Sequence, residues 1–157
     1  MKRSRKRIIL CSILLTALLA FIWGNSLLPG EESGDLSGFV GRVLGALLPF
    51  LDLESGIGSF ILRKFAHFSE FAALGMVLCW LFGMTQSRKW LAFLLPLVCG
   101  IAAACIDETI QLFSPGRYSS IVDVGIDSAG VLTGILALLM LTALCRLLRH
   151  RKEKAAL

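Results

Sequence analysis

The chain has 157 residues, 56% of them hydrophobic and only 17% charged, with a mean hydropathy of +0.78. A soluble domain of this size carries roughly 45–50% apolar and about 25% charged residues. Here the apolar residues fall in long blocks, which excludes an ordinary soluble domain and indicates an all-α, polytopic membrane protein. The net charge of +5 does not point to nucleic acid, because the basic residues cluster at the ends. Lys2, Arg3, Arg5, Lys6 and Arg7 precede the first apolar run, and Arg146, Arg149, Arg151, Lys152 and Lys154 close the last. Cytoplasmic flanks of membrane helices carry Lys and Arg in such positions, and no nucleic-acid motif accompanies them.

The first run, residues 8–28, is 21 residues without a charge, enough for a helix across a ~30 Å hydrocarbon core. Its basic flank resembles the start of a signal peptide. The run is longer than a typical signal core, however, and no clear small-residue cleavage site follows. It is therefore expected to be a retained first span with its N-terminus inside.

Residues 29–59 form a loop with Glu31, Glu32, Asp35, Asp52 and Glu54 against the single base Arg42. Within it, Leu36, Phe39, Val40, Val43, Leu44, Leu47 and Leu51 recur at helical spacing. This run is short for a span and contains Arg42 and Pro49, so it predicts an interfacial or re-entrant amphipathic helix.

Three further spans are expected at 60–84, 90–113 and 121–148, with Pro96 as a mild kink in the third span and a basic tail at 149–157. The five cysteines lie singly within apolar runs with no C-x-x-C pair. They read as small hydrophobes, with no disulfide framework and no thiolate metal site.

Counting charges fixes the expected topology. Four spans with the N-terminus inside place twelve Lys and Arg residues on the inner side and leave Arg42, Arg63, Lys64 and Arg117 outside. That obeys the positive-inside rule. A fifth span at 36–51 would put the basic tail outside, so four spans are preferred.

In this topology the start of the second span, the end of the third and the start of the fourth share the outer side. Arg63, Lys64, His67, Glu70, Asp107, Glu108, Gln111, Arg117, Asp123 and Asp127 therefore fall in one layer. Ionisable residues at membrane depth are functional candidates by default. Arg63, His67 and Glu70 share a helical stripe, as do Asp107 with Gln111 and Asp123 with Asp127. The last stripe continues through Gly130 and Gly134, small residues that let helices approach closely.

These charges can be read as a purely structural clasp. Against that, five acids outnumber three bases and are joined by an amide and an imidazole, which suggests room for a cation, a proton or a polar ligand. A metal ion is a secondary candidate, with His67, Glu70 and facing carboxylates as ligands. The layer holds one histidine, though, and no H-E-x-x-H pattern. The sequence specifies no other cofactor. Ser69, Ser114, Ser119 and Ser120 are nucleophile candidates by proximity alone, and His150 reads as part of a solvated basic flank.

R-K-F-A-H-F-S-E-F followed by L-G at 63–75, and D-E-T-I-Q-L-F-S-P-G-R with D-x-x-x-D-x-x-G-x-x-x-G at 107–134, resemble the VanZ-like family. W-G-N-S-L-L-P-G-E-E-S at 23–33 resembles its first-loop signature more loosely. The resemblance covers most of the chain in order and spacing, and implies one VanZ-like domain over residues 1–157. It further implies a bacterial plasma-membrane protein of the type linked to teicoplanin resistance; the charge count above places both termini in the cytoplasm. The family supplies no mechanism; the ten polar residues named above match its motifs.

Three functions compete. One is binding or modulating an envelope amphiphile at the outer face: a lipid headgroup, a cell-wall precursor or a lipoglycopeptide. Another is a membrane-embedded hydrolase or transferase, with metal dependence an open question, using Glu70, Glu108 or an aspartate as base, His67 as acid/base or ligand, and Arg117 on an anionic group. A transporter ranks last, since four helices are few and no repeat is visible.

Overall fold

A bilayer core offers no water to satisfy backbone N–H and C=O groups, so a long apolar segment must bond internally as a helix. All four apolar runs do so in the computed structural model, which describes residues 2–29, 56–117 and 119–155. The helices are α1 (Lys2–Leu27), α2 (Gly56–Thr85), α3 (Lys89–Gln111) and α4 (Ile121–Ala155). Each is long and apolar enough to cross a membrane, and there is no strand among the described residues. The amphipathic helix expected at 36–51 lies outside the described residues.

The helices depart from the expected spans at their ends. α1 begins within the basic flank and α4 continues through Arg149, Arg151 and Lys152, where a basic tail was expected beyond residue 148. Arg, Lys, Glu, Leu and Ala are good helix formers, and an established helix continues past the hydrocarbon edge without needing apolar side chains. α3 stops at Gln111 rather than 113, because Phe113 and Ser114 donate to the carbonyls of Ile110 and Gln111 and tighten the chain into a turn. Pro96 is buried inside α3 without ending it.

α2 and α4 form the most extensive interface, and glycine determines how closely they cross. A Cβ on Gly130 would run into the Phe68 carbonyl oxygen, one on Gly134 into that of Ala72, and one on Gly75 into that of Val131. These positions place backbone against backbone, the arrangement small residues permit in membrane helices. Phe71, Leu74, Val131 and Ile135 fill the buried core around this crossing, joined by Ala103 and Ala104 of α3 and Ile22 of α1. α1 is held by Trp23 Nε1 donating to the Ala103 carbonyl at 3.4 Å and by buried Cys11. All five cysteines are free.

Outside this core the surface is apolar, with Phe65, Val98, Met140 and Leu147 among the exposed side chains. Hydroxyls on that surface are internally satisfied. Thr16, Ser69, Thr109 and Thr133 each donate to the carbonyl four residues earlier at 2.7–3.0 Å, which conceals the polar group from hydrocarbon. Ser69 is therefore occupied with its own helix.

Candidate functional site

One end of the bundle carries buried polar side chains, Ser26, Asp107, Glu108, Gln111 and Asp127, where α1 and α3 finish and α2 and α4 begin. The connection from α3 to α4 is a short, pinned turn. Ser114, Pro115, Gly116 and Arg117 form a β-turn closed by Arg117 N–H to the Ser114 carbonyl at 3.3 Å, with Gly116 at φ 73°. Proline second and a left-handed glycine third is the type II pattern, and it turns the chain back so that Arg117 faces the bundle. Ser120 then caps α4, its Oγ accepting the Val122 N–H at 3.2 Å.

Glu108 reaches from α3 to fix this turn. Its Oε2 accepts the Ser120 N–H at 2.8 Å, and the Ser119 side chain adds a second bond. The other oxygen, Oε1, accepts from Gln111 Nε2 at 3.2 Å, and the same amide nitrogen donates to Asp107 Oδ2 at 2.9 Å. One amide group thus bridges two carboxylates, all three side chains being buried. Asp107 is fully buried, and its Oδ1 accepts from Ser26 Oγ of α1 at 2.7 Å.

Around this frame lies a cavity of about 90 Å³, room for a small polar group or a few waters. It is lined by Arg63, Lys64, His67, Glu108, Gln111, Arg117, Asp123 and Asp127, with Gly116 and Ile126. Eight of the ten residues singled out from sequence therefore meet at one opening. Lys64 of α2 is ion-paired with Asp123 of α4 and sits 5.3 Å from the Phe60 ring centroid. His67 Nδ1 stands 3.9 Å from Asp107 Oδ2, beyond hydrogen-bond range. Asp127 is 1% exposed, and its Oδ2 has no hydrogen-bond partner among the described residues.

The remaining two candidates do not line the cavity. Asp107 lies behind it, and Glu70, one turn further along α2 than His67, bonds the Asn25 side chain of α1. Arg117 is half-buried, and its Nε has no hydrogen-bond partner among the described residues. Burial lowers its pKa from the usual arginine value, and Arg63 acts in the same direction, against Asp107, Glu108 and Glu70. A guanidinium starts so high that it stays cationic.

Sequence reasoning missed the contribution of α1. Neither Asn25 nor Ser26 was among the candidates, and Ser114 was one only as a nucleophile by proximity, yet Ser26 positions Asp107 and Ser114 Oγ donates to the Ser26 carbonyl at 2.7 Å. The available signal was the W-G-N-S end of the first span, which the expected topology places on the same side. Ser114→Ala is expected to cost about 1 kcal/mol by releasing this clasp, seen as a lowered thermal midpoint in detergent. An unchanged midpoint would remove Ser114 from the account.

A membrane bundle of four described helices, with five carboxylates, three cations and one of the chain's two histidines near one end, is thus the class of protein defined here. Residues 11–144 match VanZ/LLP1, and the chain belongs to that family, as its motifs at 63–75 and 107–134 had suggested. No curated protein and no solved structure matches the chain.

Proposed function

We propose that this protein binds the polar headgroup of a cell-envelope amphiphile at the extracytoplasmic face of the plasma membrane. The observation that carries this reading is the cavity itself: Arg63 and Arg117 border it together with acids, and Arg117 Nε is buried without a partner among the described residues. A buried, unsatisfied charged donor costs several kcal/mol, and an anionic or carbonyl oxygen entering the cavity relieves that cost. Apolar side chains next to it, with Phe113 83% and Ile121 91% exposed, supply a surface for an acyl chain. The orientation rests on the twelve basic residues away from the polar end, against four on its side.

Two measurements test it. Reporter fusions at residues 114–120 should score as extracytoplasmic; a cytoplasmic score sinks the envelope reading. Protein purified in mild detergent should carry envelope lipid detectable by native mass spectrometry. Arg117→Ala should lose at least tenfold of that occupancy while keeping its helical signal and monodispersity. The implied role in teicoplanin resistance is read separately, as the change in susceptibility of a sensitive bacterium expressing wild type or Arg117→Ala at matched levels.

The second reading is a membrane-embedded hydrolase or transferase, favoured by His67 and Asp127 bordering the same cavity as Arg117. Glu108 is engaged by Gln111 and the Ser120 backbone, and Glu70 by Asn25. In this reading the proton-accepting role passes to Asp127 or His67, with Arg117 on the developing anion. Turnover of a lipid or wall precursor by purified protein, lost in His67→Ala, would favour it over simple binding.

A further inference from the structure

We propose that His67, Asp107 and Asp127 form a binding site for one divalent transition-metal cation of the Zn²⁺ or Mn²⁺ class. Three observations converge. One ligand atom from each residue lies within 4.8 Å of the others, and the three come from α2, α3 and α4. Zinc bonds of about 2.1 Å in a tetrahedron put ligand atoms about 3.4 Å apart. Side-chain rotations that close the set by roughly an ångström therefore suffice, and His67 Nδ1 and Asp107 Oδ2 start at 3.9 Å.

The second observation is independent of this proximity. Asp127 is 1% exposed, faces the cavity, and its Oδ2 has no hydrogen-bond partner among the described residues. Native structures rarely leave such an oxygen unpaired unless an ion or ligand completes it. The third is charge. Lys64 is already paired with Asp123. The set itself holds two carboxylates, Asp107 and Asp127, whose combined charge one divalent ion balances.

The chemistry of the donors narrows the ion. One imidazole nitrogen and two carboxylate oxygens suit zinc or manganese better than copper(I), which favours sulfur, or calcium, which favours oxygen alone. Asp107 is already held for the task, its two oxygens fixed by Ser26 and Gln111, as outer-shell partners orient metal-binding carboxylates. Three protein ligands leave a position open toward the cavity, the arrangement in which a metal keeps a water or takes up a ligand. The metal site does not depend on an amphiphile binding there: a chain that holds metal but no lipid would keep this inference and lose the other.

The test uses the full chain in detergent. Protein equilibrated with excess Zn²⁺ or Mn²⁺, passed through a desalting column and measured by elemental analysis should retain about one ion per chain. His67→Ala and Asp127→Asn should each weaken retention at least tenfold, and Gln111→Ala should weaken it less. His150→Ala, at the far end of α4, should retain as wild type does. A second readout needs no variant: the wild-type thermal midpoint should rise on adding metal and fall with chelator. Retention below about a tenth of an ion per chain, or equal retention by His67→Ala, Asp127→Asn and wild type, overturns the site.

Discussion

Gly134→Leu is expected to abolish the assembled bundle, while Gly83→Ala, on the same class of helix, leaves it intact or slightly stabilised. The difference lies in what each new side chain meets. A Cβ at Gly134 runs into the Ala72 carbonyl of α2, whereas a Cβ at Gly83 has nothing within 4 Å. A backbone carbonyl cannot rotate aside as a side chain can, so the helices must separate. Separation at Gly134 also moves Gly130 off Phe68 and unpacks Val131 and Ile135, which are fully buried. Overpacking commonly costs about 1–3 kcal/mol and more when no side chain can yield. A leucine here adds four carbons against rigid backbone.

The same displacement reaches the polar end, because Asp123 and Asp127 lie on the face of α4 that carries Gly130 and Gly134. Gly134→Ala is thus the informative intermediate, with a lowered thermal midpoint and weakened ligand or metal retention in one variant. Gly83→Ala gains up to about 1 kcal/mol from helix propensity. Thermal unfolding of the three variants in one detergent checks the ordering. Equal midpoints for Gly134→Ala and Gly83→Ala would show that the α2–α4 contact is not as close as the backbone positions require.

How much of this was legible in the sequence depends on the kind of signal. The four spans were, because an uncharged stretch such as residues 8–28 has few other fates. The meeting of α2, α3 and α4 at one end also was, since an even number of crossings puts helix ends 63–70, 107–111 and 123–127 on one side. The Gly130–Gly134 spacing suggested a close helix contact, but only the structure names α2 as the partner, through Phe68 and Ala72.

What escaped was carried by weakly polar residues. Ser26 has no charge and a small side chain, so in a hydropathy profile it reads as part of a span, and its bond to Asp107 joins residues 81 positions apart. The division of labour among the acids was equally hidden. Glu70 and Glu108 look interchangeable by position, yet one bonds Asn25 and the other anchors the α3–α4 turn. The helical continuation of α4 through its basic end was missed because hydropathy measures affinity for lipid, whereas helix formation depends on the backbone.

Asp107→Ala should be the most damaging single change at the polar end. It removes the acceptor for Ser26 Oγ and for one Gln111 N–H, both in buried surroundings. Each orphaned donor costs about 1–3 kcal/mol, so a loss of about 2–5 kcal/mol is expected, read as a large fall in thermal midpoint. Asp107→Asn is subtler. Its carbonyl can still accept from Ser26, but its NH₂ then faces the Gln111 NH₂. Turning the Gln111 amide over repairs that contact and forfeits its donation to Glu108 at 3.2 Å. The new amide turned the other way keeps both Gln111 bonds but makes Ser26 Oγ an acceptor in place of a donor, so Asp107→Asn should fold, lose about 1–2 kcal/mol with the charged acceptor, and lose the site's ligand or metal retention with it. Because the residues form one network, the effects of Asp107→Asn and Gln111→Ala should fall short of additive by at least about 0.5 kcal/mol in a double-mutant cycle. Strict additivity would mean that the Gln111 amide does not bridge the two carboxylates, and the frame assigned to the cavity would have to be redrawn around Ser26 and Glu108 alone.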